Sequence, residues 1–214
     1  FHGMPTSTAS KPRRTASREA RRRQLIDATM KCIARKGRGN TSIGDVASEA
    51  GLSQGIVNLH FESKDNLLTE TLRTLANEYR EQFDKTLETA DGNAADALLA
   101  RMRMDLRPKL LDRQKLAIWF AFWGVVKSRP TYRKICVEND RYYDGVVARL
   151  CQEIIEDGGY DADPAAVSEA LTSMTTRNGL SCLISPQDFD RDVAGRAIKS
   201  YLSSVFPKHY ETYT

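Results

Sequence analysis

The chain has 214 residues, of which 41% are hydrophobic and 28% charged. This composition is typical of a globular protein with enough apolar side chains for a core, and no apolar run approaches the roughly 18 residues of a membrane span. The charge is uneven: residues 1–64 carry 12 Lys and Arg against 5 Asp and Glu, whereas residues 65–214 carry 20 against 23. Such an asymmetry is typical of a protein that binds a polyanion with one end, although a basic tail that only aids solubility would also show it.

The N-terminal segment, residues 1–17, is predicted to be a cloning remnant followed by a flexible basic arm. Phe1, His2 and Gly3 precede Met4, which is the expected natural start. The small polar residues that follow lack the apolar stretch of a signal peptide, so we expect a cytoplasmic protein. The four cysteines have neither zinc-ligand nor disulfide-framework spacing. We therefore expect a reducing compartment, no metal site and no cofactor.

Helical periodicity dominates the first part of the chain. Apolar residues recur at steps of three and four, and glycines stand where helices should stop. Thr41, Ser42 and Ser63 are placed to cap the helices that follow them. The predicted helices are 18–36, a second that begins at Thr41 or Ser42 and stops at Gly51, 55–61, and a long one over 64–87.

The rest of the chain continues in the same way. Pro108, Pro130 and Pro207 follow helical segments as terminators, and Asp163–Pro164 and Ser185–Pro186 have the composition of helix starts. No window alternates as a strand would. The fold is therefore predicted to be all-α with about nine helices, the later ones covering residues 94–107, 113–128, 131–157, 164–182 and 186–205.

Residues 41–61 have helix-turn-helix spacing. Ala47 is small where the second helix must cross close to the first, and Gly51 can adopt the positive φ that the turn demands. The outer face of the second helix is polar, so its side chains can exchange hydrogen bonds with base edges and phosphates in a major groove. An ordinary αα-hairpin is the alternative, which the adjacent basic excess disfavours. The residues of this face are Ser53, Gln54, Asn58 and His60, with Gly55 allowing close approach of the backbone.

About the first 70 residues resemble the DNA-binding domain of the TetR family of bacterial regulators. The resemblance lies in Thr41–Ile43 with Val46–Ala47, in Ala50–Gly55, in Phe61 and in Lys64–Leu68. It implies a three-helix DNA-binding head, a larger helical ligand-binding and dimerising body, and homodimers on a palindromic operator. We assign the head to residues 18–64 and the body to residues 65–214.

The resemblance also implies which residues contact DNA. The family residue that matches Lys64 typically binds phosphate, and the family usually has Tyr where Asn58 and His60 stand, so the operator sequence is expected to differ. The predicted DNA-binding residues are Arg21, Arg22, Thr41, Ser42, Ser53, Gln54, Gly55, Asn58, His60 and Lys64.

The body contains an aromatic segment, Leu116–Trp123, followed by Ser128–Pro130 and Tyr132–Arg133. It is similar to the branch of the family that includes the choline-sensing repressor of glycine-betaine synthesis. Aromatic faces beside a carboxylate such as Asp140 suit a quaternary ammonium through cation–π attraction, roughly 0.5–2 kcal/mol per ring. Ordinary core packing is the alternative for rings at helical spacing. The predicted pocket residues are Trp119, Phe122, Trp123, Tyr132, Asn139 and Tyr143.

The last two long helices have small and apolar faces. By analogy with the family, these faces pair with their symmetry mates as a four-helix interface, but they could instead be buried within the core of the chain itself. The sequence is compatible with both a dimer interface and burial within the chain.

Taken together, these patterns predict a ligand-responsive transcriptional repressor that a small molecule releases from DNA, with choline, another quaternary ammonium or a small cation as the candidate effector. An enzyme would need a nucleophile–base pair, a metal cluster or a phosphate loop, and no such motif is present, so we expect no enzymatic activity. An architectural DNA-binding or membrane-surface protein is the other alternative, and the large body argues against it. The predicted partners are double-stranded operator DNA, a small-molecule effector and a second copy of the chain, with no membrane, in the bacterial cytoplasm at the nucleoid.

Overall fold

A computed structural model describes residues 11–90 and 92–210, with side chains from Ser17 onward. Over these residues the protein contains nine α-helices, one 3-10 turn and no strand, which confirms the predicted all-α class. The proposed cloning remnant and the following residues up to Ser10 lie outside the described residues. The helices are α1 (Lys11–Lys36), α2 (Ile43–Ala50), α3 (Gln54–Phe61), α4 (Lys64–Glu88), α5 (Ala94–Met104), α6 (Arg113–Trp123), α7 (Pro130–Gly158), α8 (Pro164–Ile184) and α9 (Arg191–Val205).

Helix α1 begins at Lys11 rather than at the predicted Arg18. The segment 11–23 is rich in Arg and Ala, which favour helix, but it has no apolar face. The apolar periodicity that marks the helix begins only at Leu25, so the pattern could not locate the true start. Residues 11–17, predicted as part of a flexible arm, form the first turns of α1.

Two predicted helix ends in the second half are wrong. Helix α5 ends at Met104 and not near Arg107, because the chain continues in turns there, with the Arg107 N–H bonded to the Met104 carbonyl at 3.0 Å. The helix predicted over residues 113–128 ends at Trp123. A separate 3-10 turn, Val126–Ser128, follows it.

Two predicted helix starts are also wrong. Helix α7 begins with Pro130 in its first turn, and Thr131 is not its cap. Helix α9 begins at Arg191 and not at Ser185–Pro186, because Asp190 is the residue that caps it. The Asp190 carboxylate accepts from the N–H groups of Asp192 and Val193 at 2.8 and 3.0 Å. A side chain that reaches two free N–H groups is the stronger start signal.

The chain divides into two compact units between Thr71 and Leu72, a point inside α4. The first unit has a core of its own, built from one face each of α1, α2 and α3 and the start of α4. These side chains alternate at helical steps with exposed polar ones, which explains why the segments are helical. The buried members include Leu25, Ile26, Cys32, Val46, Ala47, Val57, Phe61 and Leu67.

The second unit has a separate core, to which α5, α7, α8 and α9 contribute. The chain after α9 adds to it, because the Tyr210 hydroxyl is buried and donates to the Ala95 carbonyl at 2.7 Å. The buried members include Leu98, Met102, Val147, Ile154, Leu171, Ile198, Leu202 and Phe206.

Candidate nucleic-acid interface and ligand pocket

The turn between α2 and α3 has the geometry that the sequence predicts. Ser42 and Asp45 form a capping box: the Ser42 hydroxyl accepts from the Asp45 N–H at 3.1 Å, and the Asp45 carboxylate accepts from the Ser42 N–H at 2.9 Å. Gly51 ends α2 with φ +66°, a conformation that favours glycine. The Leu52 N–H then bonds to the Ala47 carbonyl at 2.8 Å. These bonds fix the angle at which α3 leaves the turn.

Ion pairs hold α2 against α1. Lys36 bonds to the Asp45 carboxylate, and Arg35 lies 3.2 Å from the Glu49 carboxylate. The bonds from Lys36 and Ser42 hold the pKa of Asp45 well below its usual range. The cations at the end of α1 therefore serve the scaffold of this unit.

Helix α3 presents one face outward. Val57 and Phe61 are buried in the core of the first unit, whereas Gln54 and Asn58 are exposed. Gly44 leaves room for Gln54, because a Cβ at Gly44 would stand 3.1 Å from the Gln54 amide nitrogen. The exposed members of this outer face are Ser53, Gln54, Gly55, Asn58 and Leu59.

Leu59 is the residue of this face that the sequence reading missed. Its side chain is 71% exposed, the most exposed large apolar residue of the described chain. The available signal was its position four residues after Gly55, which places both on the same side of a helix. An apolar side chain on a groove-reading helix can contact the methyl group of thymine.

Arg22 is oriented into the first unit. Its guanidinium donates to the His60 carbonyl, lies 4.4 Å from the centre of the Phe61 ring and approaches Glu70 at 3.8 Å. Arg21, in contrast, is exposed and donates to Gln24 at 2.7 Å. The two neighbouring arginines therefore have different surroundings.

His60 lies at the edge of the outer face and is half-buried. Its Nδ1 atom is buried and has no hydrogen-bond partner among the described residues. Burial lowers the pKa of His60, and the charges of Arg18 and Arg22 lower it further. Both effects disfavour the protonated form of the ring.

The other predicted DNA-binding residues stand at helix starts. Thr41 is buried, and its hydroxyl donates to the Gly37 carbonyl at 2.9 Å, so its side chain shapes the loop before α2. Ser53 is exposed and makes no capping hydrogen bond through its side chain. Lys64 begins α4 and is half-buried.

A cavity of about 180 Å³ lies within the second unit. One side of it holds a buried polar cluster. The Tyr79 hydroxyl donates to Asp105 at 2.6 Å, and Arg101 donates to Asp105 at 2.7 Å and to the Tyr79 oxygen at 3.1 Å. The Nε atom of Arg101 is buried with no partner among the described residues. Sequence reasoning missed this cluster, because no local pattern shows which charged residues are buried.

An aromatic wall forms another side of the cavity. Trp119 and Trp123 are 6.2 Å apart between ring centres. Tyr79 packs edge-on against Trp119 at 6.5 Å and against Tyr143 at 5.1 Å. Of the six predicted pocket residues, the structure places four on the lining: Trp119, Trp123, Asn139 and Tyr143.

The other two predicted pocket residues lie elsewhere. Phe122 and Tyr132 are fully buried and pack edge-on against each other, with 5.1 Å between ring centres. Neither lines the cavity. Phe122 is one residue from Trp123, which places it on a different side of α6, and Tyr132 follows it into the core.

The cavity also has an acidic side. Asp140 and Asp144, one turn apart on α7, both line it. Burial raises the pKa of Asp140, and the charge of Asp144 raises it further. Burial also raises the pKa of Asp144, with a contribution from Glu169. An acidic side next to an aromatic wall is complementary to an organic cation.

A helix-turn-helix head whose second helix is exposed and a helical body with a cavity are typical of ligand-responsive DNA-binding regulators. The sequence model of bacterial regulatory proteins of the tetR family matches residues 25–71. The model of the BetI-type transcriptional repressor C-terminal domain matches residues 94–207. The chain belongs to the TetR family, with a BetI-type C-terminal domain, and members of this family are transcriptional regulators and not enzymes.

Individual relatives agree with this assignment. The transcriptional regulator BetI of Burkholderia thailandensis is 34% identical over 163 residues, which cover 73% of this chain and 77% of that protein. BetI of Klebsiella pneumoniae is 30% identical over 189 residues, 87% of this chain and 94% of that one. TetR-family regulators bind operator DNA and small-molecule effectors and act as dimers.

Solved structures share the fold. A transcriptional regulator from Pseudomonas aeruginosa PAO1 superposes with a TM-score of 0.80 at 26% identity, covering 89% of this chain and 93% of that one. A regulator from Saccharomonospora viridis, solved in complex with choline, has a TM-score of 0.78 at 23% identity, covering 86% and 96%. Within residues 11–90 and 92–210, no helix combines the length and apolar character of a bilayer-spanning segment.

Proposed function

We propose that the protein is a repressor that binds its operator through the outer face of α3 and is released by a small organic cation held in the cavity of the second unit. The observation that carries the proposal is the exposure of Gln54 and Asn58 on a helix whose opposite face is anchored by Val57 and Phe61. The protein acts at the nucleoid in the cytoplasm. Residues 18–64 serve as the DNA-binding domain, and residues 65–214 serve for ligand binding and dimerisation.

The DNA contacts divide into two groups. Gln54 and Asn58 read base edges, because their amides donate and accept at the same time. Arg21, Ser53 and Lys64 contact phosphates, and Gly55 lets the backbone approach. Ser42 supports these contacts through its capping box, because its N–H and its hydroxyl both donate to Asp45. Arg22, Thr41 and His60 support these contacts from within the head, since their side chains are engaged there or partly buried.

Operator binding across a salt series tests the DNA-binding proposal. If a dimer neutralises about six to eight phosphates, log K falls against log salt with a slope of about −5 to −7. Replacing Arg21 by Gln weakens binding to all sequences alike. Replacing Asn58 by Ala changes the preference among operators by about 1–3 kcal/mol. A flat salt response, or identical behaviour of the two variants, contradicts the division of roles.

The effector proposal rests on the aromatic wall and the acidic side of the cavity. Choline is one candidate, because the sequence resembles the choline-sensing branch of the family. The only two tryptophans of the chain, Trp119 and Trp123, both line the cavity. Intrinsic tryptophan fluorescence therefore reports directly on binding at this site.

The dimer proposal assigns the two-fold interface to the outer faces of α8 and α9. Val167, Leu171 and Leu202 are buried in the core of the second unit itself. Other small and apolar residues of the same helices are exposed, and these are available to a second copy: Ala166, Ile184, Val193 and Ala197.

A further inference from the structure

The α7–α8 side of the cavity is rich in hydrogen-bond acceptors. One of the two Asn139 amide N–H bonds is used, because it donates to the Ile135 carbonyl at 2.9 Å. The Thr172 hydroxyl donates to the Ser168 carbonyl at 3.1 Å, and the Thr175 hydroxyl to the Thr172 carbonyl at 2.9 Å. What these two hydroxyls have left are oxygen lone pairs. We call Asn139, Asp140, Asp144, Thr172 and Thr175 the acceptor wall; all five line the cavity.

The acceptor wall also carries two carboxyl groups without a salt bridge among the described residues. Arg101 is neutralised by Asp105 at 2.7 Å. Asp140 and Asp144 have no ion-pair or hydrogen-bond partner for their carboxylates among the residues that the structure describes. They stand four residues apart, so they project from the same face of α7, with Cβ atoms about 5–6 Å apart. A single positive charge would balance only one of them.

We propose that the preferred effector is a linear aliphatic diammonium ion, bound with both ammonium groups on the acceptor wall. The proposal rests on the cation-binding cavity of the proposed function and narrows the class of cation. A diammonium ion supplies two charges and six N–H donors to a wall made mostly of acceptors. A quaternary ammonium such as choline supplies one charge, no N–H donor and a single hydroxyl donor. Its methyl groups would leave most oxygens of the wall without partners, which is unfavourable in a cavity.

The aromatic wall accommodates the rest of such a ligand. Its methylene chain is apolar and packs on Trp119 and Trp123, which line the same cavity. A chain of about four carbons suits the spacing of two carboxylates one helical turn apart. 1,4-Diaminobutane is therefore the appropriate probe.

Isothermal titration of the full chain, with tryptophan fluorescence as a second readout, tests this inference. The ligands are 1,4-diaminobutane, its hexamethylated bis-quaternary analogue and choline, at ionic strength matched with NaCl. The test variant is Asp144→Asn, and the matched control is Asp161→Asn, an exposed carboxylate outside the cavity lining. Thermal unfolding checks that both variants are folded.

We expect 1,4-diaminobutane to bind about tenfold more tightly than choline or the hexamethylated analogue, the scale of one charge-assisted hydrogen bond. Asp144→Asn should weaken the diamine about tenfold and choline by less than about threefold, with Asp161→Asn unchanged. The inference is overturned if choline binds as tightly as the diamine, or if Asp144→Asn weakens the binding of both ligands equally. Either result still leaves a cation as the effector. Absence of binding by all three ligands overturns both the inference and the cation effector, and leaves operator binding to its own test.

Discussion

Arg22 belongs to the basic cluster of α1, but we propose that its side chain stabilises the fold and does not bind DNA directly. Its guanidinium connects α1 to the end of α3 through the His60 carbonyl and the Phe61 ring. A hydrogen bond from a charged group and a cation–π contact together stabilise by about 1–3 kcal/mol. Its neighbour Arg21 makes only an exposed contact on its own helix.

Replacing Arg22 by Ala should therefore lower the free energy of unfolding by about 1–3 kcal/mol, and replacing Arg21 by Ala should change it by less than about 0.5 kcal/mol. Urea denaturation measures both. Equal stabilities of the two variants would show that the Arg22 contacts do not support the fold.

Leu59 contributes an apolar contact to the outer face of α3. With 71% of its surface exposed, it has no role in the core. We expect the operator to contain a thymine whose methyl group Leu59 touches. Replacing that thymine by deoxyuridine should weaken binding about three- to tenfold in the wild type, since one buried methyl group is worth roughly 0.8 kcal/mol or somewhat more.

The Leu59→Ala variant provides the control for this contact. It should bind the two duplexes with equal affinity, because the side chain that senses the methyl group is absent. Fluorescence anisotropy with each thymine of the site replaced in turn makes the measurement. A wild type that is indifferent to every replacement rules out the thymine contact.

At the scale of elements, the contact between α1 and α2 depends on an ion pair at Asp45. The Asp45 carboxylate is bound by Lys36 and Ser42, and its pKa in the folded state is held below its unfolded value. The folded state therefore favours the ionised form. The resulting stability is present above the unfolded pKa, near pH 4, and is lost as the pH falls through the folded value.

The temperature of half-unfolding should accordingly decrease as the pH is lowered from about 5 to about 3. The decrease should be smaller in Asp45→Asn, which has no carboxylate to protonate. Circular dichroism at a series of pH values measures it. A variant that follows the wild-type curve over this range would show that Asp45 does not contribute to the acid sensitivity.

The elements also show what sequence reasoning could achieve. Residues 41–61 were predicted in detail because Ala47, Gly51 and the cap at Ser42 are local signals that act over a few residues. The start of α9 was misplaced because two plausible caps, Ser185 and Asp190, stand five residues apart, and only the fold decides between them. For the pocket, helical spacing grouped Trp119 with Trp123, which both line the cavity, but it could not tell that Phe122 is buried in the core. Arg101 and Asp105 were not predicted as pocket residues, because their contact with Tyr79 joins distant parts of the chain.

For the whole molecule, dimer formation is the condition for binding a two-fold operator. Val193 on α9 is 49% exposed, on a helix whose other face fills the core of the second unit. Replacing Val193 by Asp should convert the dimer to a species near 24.0 kDa in light scattering, since a charge buried at an interface is strongly unfavourable.

The matched control for the dimer is Val137→Asp, at an exposed valine of α7 outside the proposed interface. It should remain a dimer. If Val193→Asp also remains a dimer and binds operator normally, the outer face of α9 is not the interface.

The central claim is that cation binding in the cavity and operator binding by α3 are coupled, so that each weakens the other by the same factor. The most direct measurement is the anisotropy of a labelled operator duplex, selected from a random-sequence pool, during titration with 1,4-diaminobutane and with choline, while tryptophan fluorescence records occupancy of the cavity. We predict that the operator dissociation constant rises at least about tenfold as the cavity fills, and that Asp140→Asn shifts this rise to higher cation concentration. A cavity that fills, by its tryptophan signal, while the operator affinity stays constant would contradict the account.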